Sequence, residues 1–564
     1  MDRGAHRIPQ RVAHRRAVDG VEAHGGRLAV EVLRRYGVDT MFTLSGGHLF
    51  VLYDGAVQSD DMRLIDARHE QTVVFAAEGW AKVTRRIGCA AITAGPGVTN
   101  GVSAMTAAWM NGSQVVVLAG RAPQRRWGSG SLQELDHVPI VASVTKRAAT
   151  ATSAESIVEE VRAACRAATT PHRGPAFVDI PLDAFGPADV DLDAIGAEAV
   201  ASPGREAGET PDGDALARVA KLVSEAQRPV LLAGGDVYWA QAEEPMRAFV
   251  EQARVPTFVN GMGRGLLPAD HALAFSRARS LALKEADLVL VAGTPLDFRL
   301  GFGRFGDAQV VHLCDAASQV AAHAELAAST AGDLATTFAT LAESGAPPSA
   351  HDDWATRLRD DEQSKRAAEE PLLDADSAPI KPTRIYGELR KRLDRDAIVI
   401  GDGGDFVSYA GKYVDSYEPG TFLDPGPFGC LGMGPGYALG AAMAHPDRQI
   451  VLMLGDGAIG FALGDFDTLV RHGVNVTAIV GNNGIWGLEK HPMQALFGYD
   501  VVAELRPGIR YDQAVAALGC HGELVEKPGE VGPALDRAFA TPGVSLVNIL
   551  TDPEAAYPRS SNLA

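Results

Sequence analysis

Ile450-Val451-Leu452-Met453-Leu454-Gly455-Asp456-Gly457-Ala458 reads as an apolar strand that runs directly into an acid set between two glycines. A second apolar run ends downstream at Asn482-Asn483. Asp456 and Asn483 are hard oxygen donors at the ends of two predicted strands, suited to a magnesium ion that keeps water and phosphate oxygens in its remaining positions. Without side chains, Gly455 and Gly457 let backbone N–H groups approach a phosphate closely. These residues predict a diphosphate–metal site on an α/β scaffold.

Two more patterns lie far upstream. Arg68-His69-Glu70-Gln71 precedes an alanine-rich helical segment containing Ala77-Glu78-Gly79-Trp80-Ala81. Ala94-Gly95-Pro96-Gly97-Val98-Thr99-Asn100 follows the apolar run Cys89-Ala90-Ala91-Ile92 and opens another helix. Glycines around a proline at a strand-to-helix junction give a tight, stiff turn, with Thr99 or Asn100 available for capping.

Taken together, these motifs resemble those of thiamine-diphosphate-dependent enzymes. The resemblance implies Mg²⁺ bound by Asp456, Asn483 and the main chain of Ile485, with Gly455, Gly457 and Ala458 beside the diphosphate. It also implies that Glu70 hydrogen-bonds N1′ of the aminopyrimidine, favouring the tautomer that takes the proton from the thiazolium carbon. Gly95 and Asn100 would shape the site next to that ring, and Gly404, Asp405 and Phe406 match the loop before the phosphates. In Phe428-Gly429-Cys430-Leu431-Gly432-Met433-Gly434, alignment on the glycines puts Leu431 where the family holds the cofactor bent, and Met433 is the alternative register. Ser45-Gly46-Gly47-His48 matches a loop entering over the thiazolium, where His48 would contact a substrate carbonyl or relay a proton.

From about Gly26 onward the chain resembles the acetolactate synthase branch, including Leu132-Gln133-Glu134-Leu135-Asp136, which is similar to a Phe-Gln-Glu segment and makes Gln133 a catalytic candidate. The branch implies three doubly wound parallel-sheet α/β domains, ordered pyrimidine-binding, central Rossmann-like and diphosphate-binding. It departs from the biosynthetic enzymes after the metal asparagine, where Gly484-Ile485-Trp486-Gly487-Leu488-Glu489-Lys490-His491 lacks the usual Gln and Trp. Glu489 stands where 2-hydroxyacyl-CoA lyases place a glutamate near the reacting hydroxyl, a position from which a carboxylate can accept its proton. Asn260-Gly261-Met262-Gly263-Arg264-Gly265-Leu266-Leu267-Pro268 resembles oxalyl-CoA decarboxylase and the acyl-CoA lyases, whereas Gly293-Thr294-Pro295-Leu296-Asp297-Phe298-Arg299 is similar to a segment near FAD in acetolactate synthases. The first choice on this reading is a short-chain 2-hydroxyacyl-CoA lyase, and the alternative is an acetolactate synthase acting on 2-keto acids. Cofactors would be thiamine diphosphate and Mg²⁺, with FAD, ADP or nothing in the central domain. Asp315, after the run Val310-Val311-His312-Leu313, is a candidate ribose contact there. In the resembling enzymes one cofactor is shared by two subunits, so a homodimer or homotetramer is expected. A nicotinamide oxidoreductase leaves Glu70 and the Asp456–Asn483 pair unexplained, and a catalytically silent scaffold usually loses one of them.

Composition sets the frame for this reading. The chain has 564 residues, 46% of them hydrophobic, which is enough for several domains with their own cores. A net charge of −19 argues against nucleic acid as a partner. Cys89, Cys165, Cys314, Cys430 and Cys520 lie far apart without a pairing pattern, suiting a reducing, cytoplasmic setting. No apolar run reaches membrane-spanning length. Residues 1–25, rich in arginine and lacking an apolar segment, are expected to be a disordered tail. Composition breaks at 196–213 and 345–379 read as linkers, giving domains over 26–195, 214–344 and 380–564.

Overall fold

The computed structural model describes residues 24–59, 61–187, 208–343 and 350–558. Most of the expected tail and most of the first linker lie outside these residues, although Gly25 already opens a helix, Gly25–Arg35, capped by His24. The second expected linker contains a 24-residue helix, Ala350–Leu373. Its charges made it look like a solvated connector, but Trp354 and Leu358 are buried against the central domain.

Seventeen strands are described, grouped in three sheets. The first sheet contains β1 (Thr40–Thr43), β2 (Arg63–Asp66), β3 (Gly88–Ile92), β4 (Val115–Arg121), β5 (Arg147–Thr150) and β6 (Ala176–Pro181). The second contains β7 (Pro229–Ala233), β8 (Thr257–Val259), β9 (Leu288–Ala292), β10 (Gln309–Cys314) and β11 (Ala328–Ala331). The third contains β12 (Ile398–Asp402), β13 (Phe422–Leu423), β14 (Ile450–Gly455), β15 (Val476–Asn482), β16 (His521–Val525) and β17 (Val544–Leu550). Their pairings are parallel throughout. β3, β4, β6, β7, β9 and β15 are buried along their whole length, as strands covered by helices on both faces must be.

The first and third sheets share one topology. Their orders are β2-β1-β3-β4-β6-β5 and β13-β12-β14-β15-β17-β16, which coincide when each is counted from its own first strand. The helices that follow the second strand of each sheet, Glu70–Thr84 and Gly434–Ala444, pack on one another. Small residues bring their backbones close. A Cβ on Gly440 would lie 2.3 Å from the Ala76 carbonyl oxygen and 2.6 Å from the Trp80 nitrogen. The Phe75 and Tyr437 rings meet edge to face beside this crossing, with centroids 5.8 Å apart. Glu78 and Lys82 form a buried pair at 3.2 Å, and Lys82 also donates to Tyr437 Oη at 2.8 Å. Glu78 further accepts from Asn111 and Ser113, so the alanine-rich motif around Glu78-Gly79-Trp80 serves the contact between the two domains. No helix among the described residues is long and apolar enough to cross a membrane.

Candidate active site

Parallel sheets place ligands at the carboxyl ends of their strands. At that end of the third sheet, a cavity of about 530 Å³ is lined by Gly403 to Val407, Leu431, Gly455 to Ala458, Asn483 and Ile485 to Glu489. β12, β14 and β15 end at its floor, so the three expected cofactor segments converge although some 80 residues separate the first from the last.

Asp456 heads the helix Asp456–Ala462 and is only 4% exposed. Its Oδ2 accepts the Gly484 N–H at 2.7 Å and its Oδ1 accepts the Gly457 N–H at 3.1 Å. Burial lifts its pKa to about 6 against these hydrogen bonds, which favour the carboxylate. A buried carboxylate served only by backbone N–H groups lacks a cation, and the Asn483 side chain and Ile485 backbone supply further oxygens beside it. This donor set fits Mg²⁺. Asn483 Oδ1 accepts the Ile485 N–H at 3.2 Å, which sets the turn. Asn482 has a different purpose, because its amide donates to the Ile509 carbonyl and to Asn548, both within 3.1 Å.

Gly457 leaves room for Trp486, since a Cβ there would lie 2.3 Å from the indole ring. Trp486 covers the metal loop and meets Phe461 edge to face at 6.5 Å. Its place in the wall was not legible in the sequence, where it was one residue of an atypical segment. The same holds for Tyr511, whose hydroxyl donates to the Asp456 carbonyl at 3.0 Å. Gly404 and Asp405 begin the helix Gly404–Tyr413 at the cavity floor, while the tip of the Phe406 ring fills the space over Gly481 and the side chain is nearly all core.

Leu431 lines the cavity, and Met433 is fully buried in the core. Of the two registers, only the one through Leu431 puts a side chain in the wall of this cavity. Asp402 holds this loop by accepting the Gly432 and Gly434 N–H groups at 3.0 and 2.7 Å, and its full burial raises its pKa to about 7. Glu489 sits exposed at the cavity mouth, in the first turn of the helix Gly487–Phe497. Phe298 and Arg299 of the central domain form the opposite wall.

Glu70 belongs to a second cluster, in the first domain. It begins the helix Glu70–Thr84, is 7% exposed, and its Oε2 accepts from Asn100 Nδ2 at 3.0 Å. The Gly95 N–H donates to His137 Nε2 at 2.9 Å, so the imidazole proton lies on Nδ1, which donates to Asp179 at 2.8 Å. Arg121 donates to the same Asp179 oxygen at 2.8 Å. This His137–Asp179–Arg121 support fixes the glycine turn and was invisible in the sequence, its members lying 58 residues apart at the widest. Gln133, with φ 58°, packs beside Gly95. His48 is buried against Thr93 at 3.4 Å, and burial lowers its pKa, keeping the ring neutral. The two clusters approach where the Gln71 side chain donates to the Leu431 carbonyl at 3.4 Å. None of the residues lining the metal-loop cavity belongs to the first domain, however, so Glu70 does not face that cavity within one chain.

In the central domain, a cavity of about 460 Å³ lies at the ends of β7 and β9, lined by Gly235, Gly293, Thr294 and Pro295 and by Lys146 and His172 of the first domain. Asp315 is not available for a ribose. It is 4% exposed and stands 3.3 Å from His172 Nδ1, which is also 3.2 Å from Asp236. The cause is tertiary, because His172 arrives from a loop of another domain. Arg299 lines both this cavity and the metal-loop cavity.

Comparison with known proteins accords with this geometry. The N-terminal TPP binding domain of thiamine pyrophosphate enzymes matches residues 23–140, the central domain of those enzymes matches 216–341, and their C-terminal TPP binding domain matches 402–549. Acetolactate synthase large subunit IlvG of Mycobacterium tuberculosis is 55% identical over 543 residues, covering 96% of this chain and 98% of that protein. The 2-hydroxyacyl-CoA lyase 2 proteins of Caenorhabditis elegans and Homo sapiens are each 32% identical, over 93% and 90% of this chain and 89% and 86% of their own lengths. Three matched domains in the order of the three sheets, and relatives aligned across nearly the whole length, make this chain a member of the thiamine pyrophosphate enzyme family and an enzyme dependent on that cofactor.

Proposed function

We propose that this protein is an acetolactate synthase, decarboxylating pyruvate and joining the retained two-carbon unit to a second 2-keto acid, with Mg²⁺ as the metal. The observation that carries this reading is the 55% identity to the IlvG protein over 96% of the chain, which spans every element of the site. It reverses the order of preference drawn from the motifs alone. The cavity is compatible with small substrates. Trp486 closes one side, and Arg299, whose guanidinium is already paired with Asp297 at 2.6 Å, lines the cavity from the central domain.

Thiamine diphosphate, when bound, supplies a carbon nucleophile and an electron sink for breaking a bond next to a carbonyl. Asp456, Asn483 and the Ile485 carbonyl would hold the Mg²⁺ that neutralises the diphosphate, and Leu431, in the cavity wall, would support the cofactor. Glu70, buried and accepting from Asn100, would hold a proton shared with the aminopyrimidine. Trp486 would exclude water from the cavity.

Because Glu70 does not face the metal-loop cavity of its own chain, the site is completed by a second copy. Exposed apolar side chains flank both halves, Phe50 at 63% and Leu132 at 78% beside the Glu70 cluster and Phe461 at 62% beside the metal loop, as expected of surfaces covered in a dimer. Sedimentation of active enzyme as a monomer would refute this arrangement.

A second reading, a 2-hydroxyacyl-CoA lyase, rests on Glu489 at the cavity mouth, where a carboxylate could accept the proton of a substrate 2-hydroxyl as the C–C bond breaks and that oxygen becomes the carbonyl of the released aldehyde or ketone. Purified protein with thiamine diphosphate and Mg²⁺, given pyruvate in one assay and short 2-hydroxyacyl-CoA esters in the other, separates the two. Acetolactate without formyl-CoA supports the synthase, and formyl-CoA without acetolactate overturns it.

A further inference from the structure

The Glu70 side chain has one hydrogen-bond partner among the described residues, Asn100. Its placement therefore depends on the backbone from Arg68 to Thr72, where β2 gives way to the helix Glu70–Thr84.

Asp465 of the third domain grips that stretch on both sides of Glu70. Its Oδ1 accepts the Arg68 N–H at 2.9 Å and its Oδ2 accepts the Thr72 hydroxyl at 2.6 Å, two residues before Glu70 and two after it. Oδ1 also accepts the Thr468 hydroxyl at 2.8 Å, within the helix Asp465–Arg471. Asp465 is 3% exposed and Thr72 is buried. A buried carboxylate is costly unless its oxygens are served, and hydrogen bonds to an ionised acceptor are shorter and stronger than neutral ones. With both oxygens occupied, such a network makes its surroundings rigid. The neighbouring contact is of another kind. Arg68 also reaches Asp467 at 2.6 Å, but its side chain is more than half exposed, and water screens a pair of that sort.

Asp465 lies close in sequence to the metal loop. Only Leu463 and Gly464 separate the helix that Asp456 heads, Asp456–Ala462, from the helix that Asp465 begins. Asp465 is nevertheless absent from the lining of the metal-loop cavity. The segment that carries the proposed metal ligand thus holds, through Asp465, the segment that carries Glu70.

We propose that Asp465 is a positioning residue for the reaction, with Thr72 as its partner: together they set the distance and direction at which Glu70 meets the aminopyrimidine, and neither touches substrate or cofactor. The inference rests on reading Glu70 as the group that holds the aminopyrimidine proton.

The test uses full-length protein with saturating thiamine diphosphate and Mg²⁺, and whichever of pyruvate or a short 2-hydroxyacyl-CoA ester the native enzyme turns over. Thr72→Val keeps the shape of the side chain and removes the hydroxyl, so it serves even where Asp465→Ala fails to fold. Both should lower kcat by about tenfold, with KM and cofactor affinity within about twofold of native, because a small misplacement of a reacting group costs rate and not ground-state binding. Thr72→Ser, which keeps the hydroxyl, should recover native turnover, and Asp467→Asn, which breaks only the exposed pair, should leave it unchanged. Hydrogen exchange gives a readout apart from activity: amides around Arg68 should exchange faster in either impaired variant while the sheets keep their protection. Native turnover in Thr72→Val beside an impaired Glu70→Gln overturns this inference alone, as does a fall in turnover matched by equal losses of cofactor affinity and folded fraction. Native turnover in Glu70→Gln overturns the reading beneath it, and unchanged exchange around Arg68 in Asp465→Ala overturns the anchor whatever the substrate.

Discussion

The Asp456 carboxylate accepts the backbone N–H of Gly484 at 2.7 Å, tying the loop after β14 to the loop after β15. Both loops carry residues proposed to hold the metal, Asp456 in one and Asn483 in the other. One hydrogen bond thus sets the separation of the two loops, and with it that of the two halves of the proposed metal site.

Asp456→Ala is expected to lose metal and thiamine diphosphate together. Gly457→Ala tests the packing around them, because the new Cβ would stand 2.3 Å from the Trp486 ring. Displacing that indole should weaken cofactor binding by about tenfold, close to 1.4 kcal/mol. Titration of thiamine diphosphate followed by tryptophan fluorescence reads both variants, and unchanged affinity in Gly457→Ala would show that Trp486 does not form the wall.

Glu70→Gln should keep cofactor affinity, since the amide oxygen still accepts from Asn100, which now donates at 3.0 Å. Turnover should fall by about 10²–10⁴, the usual contribution of a positioned proton-transfer group. Steady-state rates at saturating cofactor decide the matter. A fall in affinity with little change in turnover would reassign Glu70 to structure.

His172 ties the first domain to the central one. Burial alone would lower its pKa, but Asp236 and then Asp315 raise it to about 10 from an ordinary 6.5. A histidine raised in the folded state contributes stability in full below its unfolded value, and that contribution is lost as pH climbs toward the folded value. Urea midpoints should therefore decline between 6.5 and about 10 in the native protein. His172→Gln should lower stability by about 3 kcal/mol at neutral pH by leaving buried carboxylates without their cation, and should flatten that decline. Parallel pH profiles for the two proteins would rule out the bridge.

Gly440→Ala probes the crossing of Glu70–Thr84 with Gly434–Ala444. A methyl 2.3 Å from the Ala76 carbonyl has no flexible neighbour to displace, so the helices must separate. A loss of about 1–3 kcal/mol or more is expected, read as a lower melting temperature. Because Glu70 begins one of these helices, activity should fall further than folded fraction alone accounts for.

Sequence by itself determined the three α/β domains and the glycine turns, and put Asp456, Asn483 and Glu70 forward as the residues to look at. Those features are local: an apolar run makes a buried strand, a glycine beside an acid makes an open turn, and the chemistry of an aspartate travels with the residue. Tertiary structure decided the rest. It put Leu431 in the cavity wall and Met433 in the core, turned a charged connector into a packed helix, placed Trp486 over Gly457, and brought His172 to Asp315 from 143 residues away, closing the expected ribose contact. It also kept Glu70 away from the cavity of its own chain. Such contacts depend on which surfaces pack together across domains, and no spacing along the chain encodes that, because burial and steric fit act between residues the sequence holds far apart.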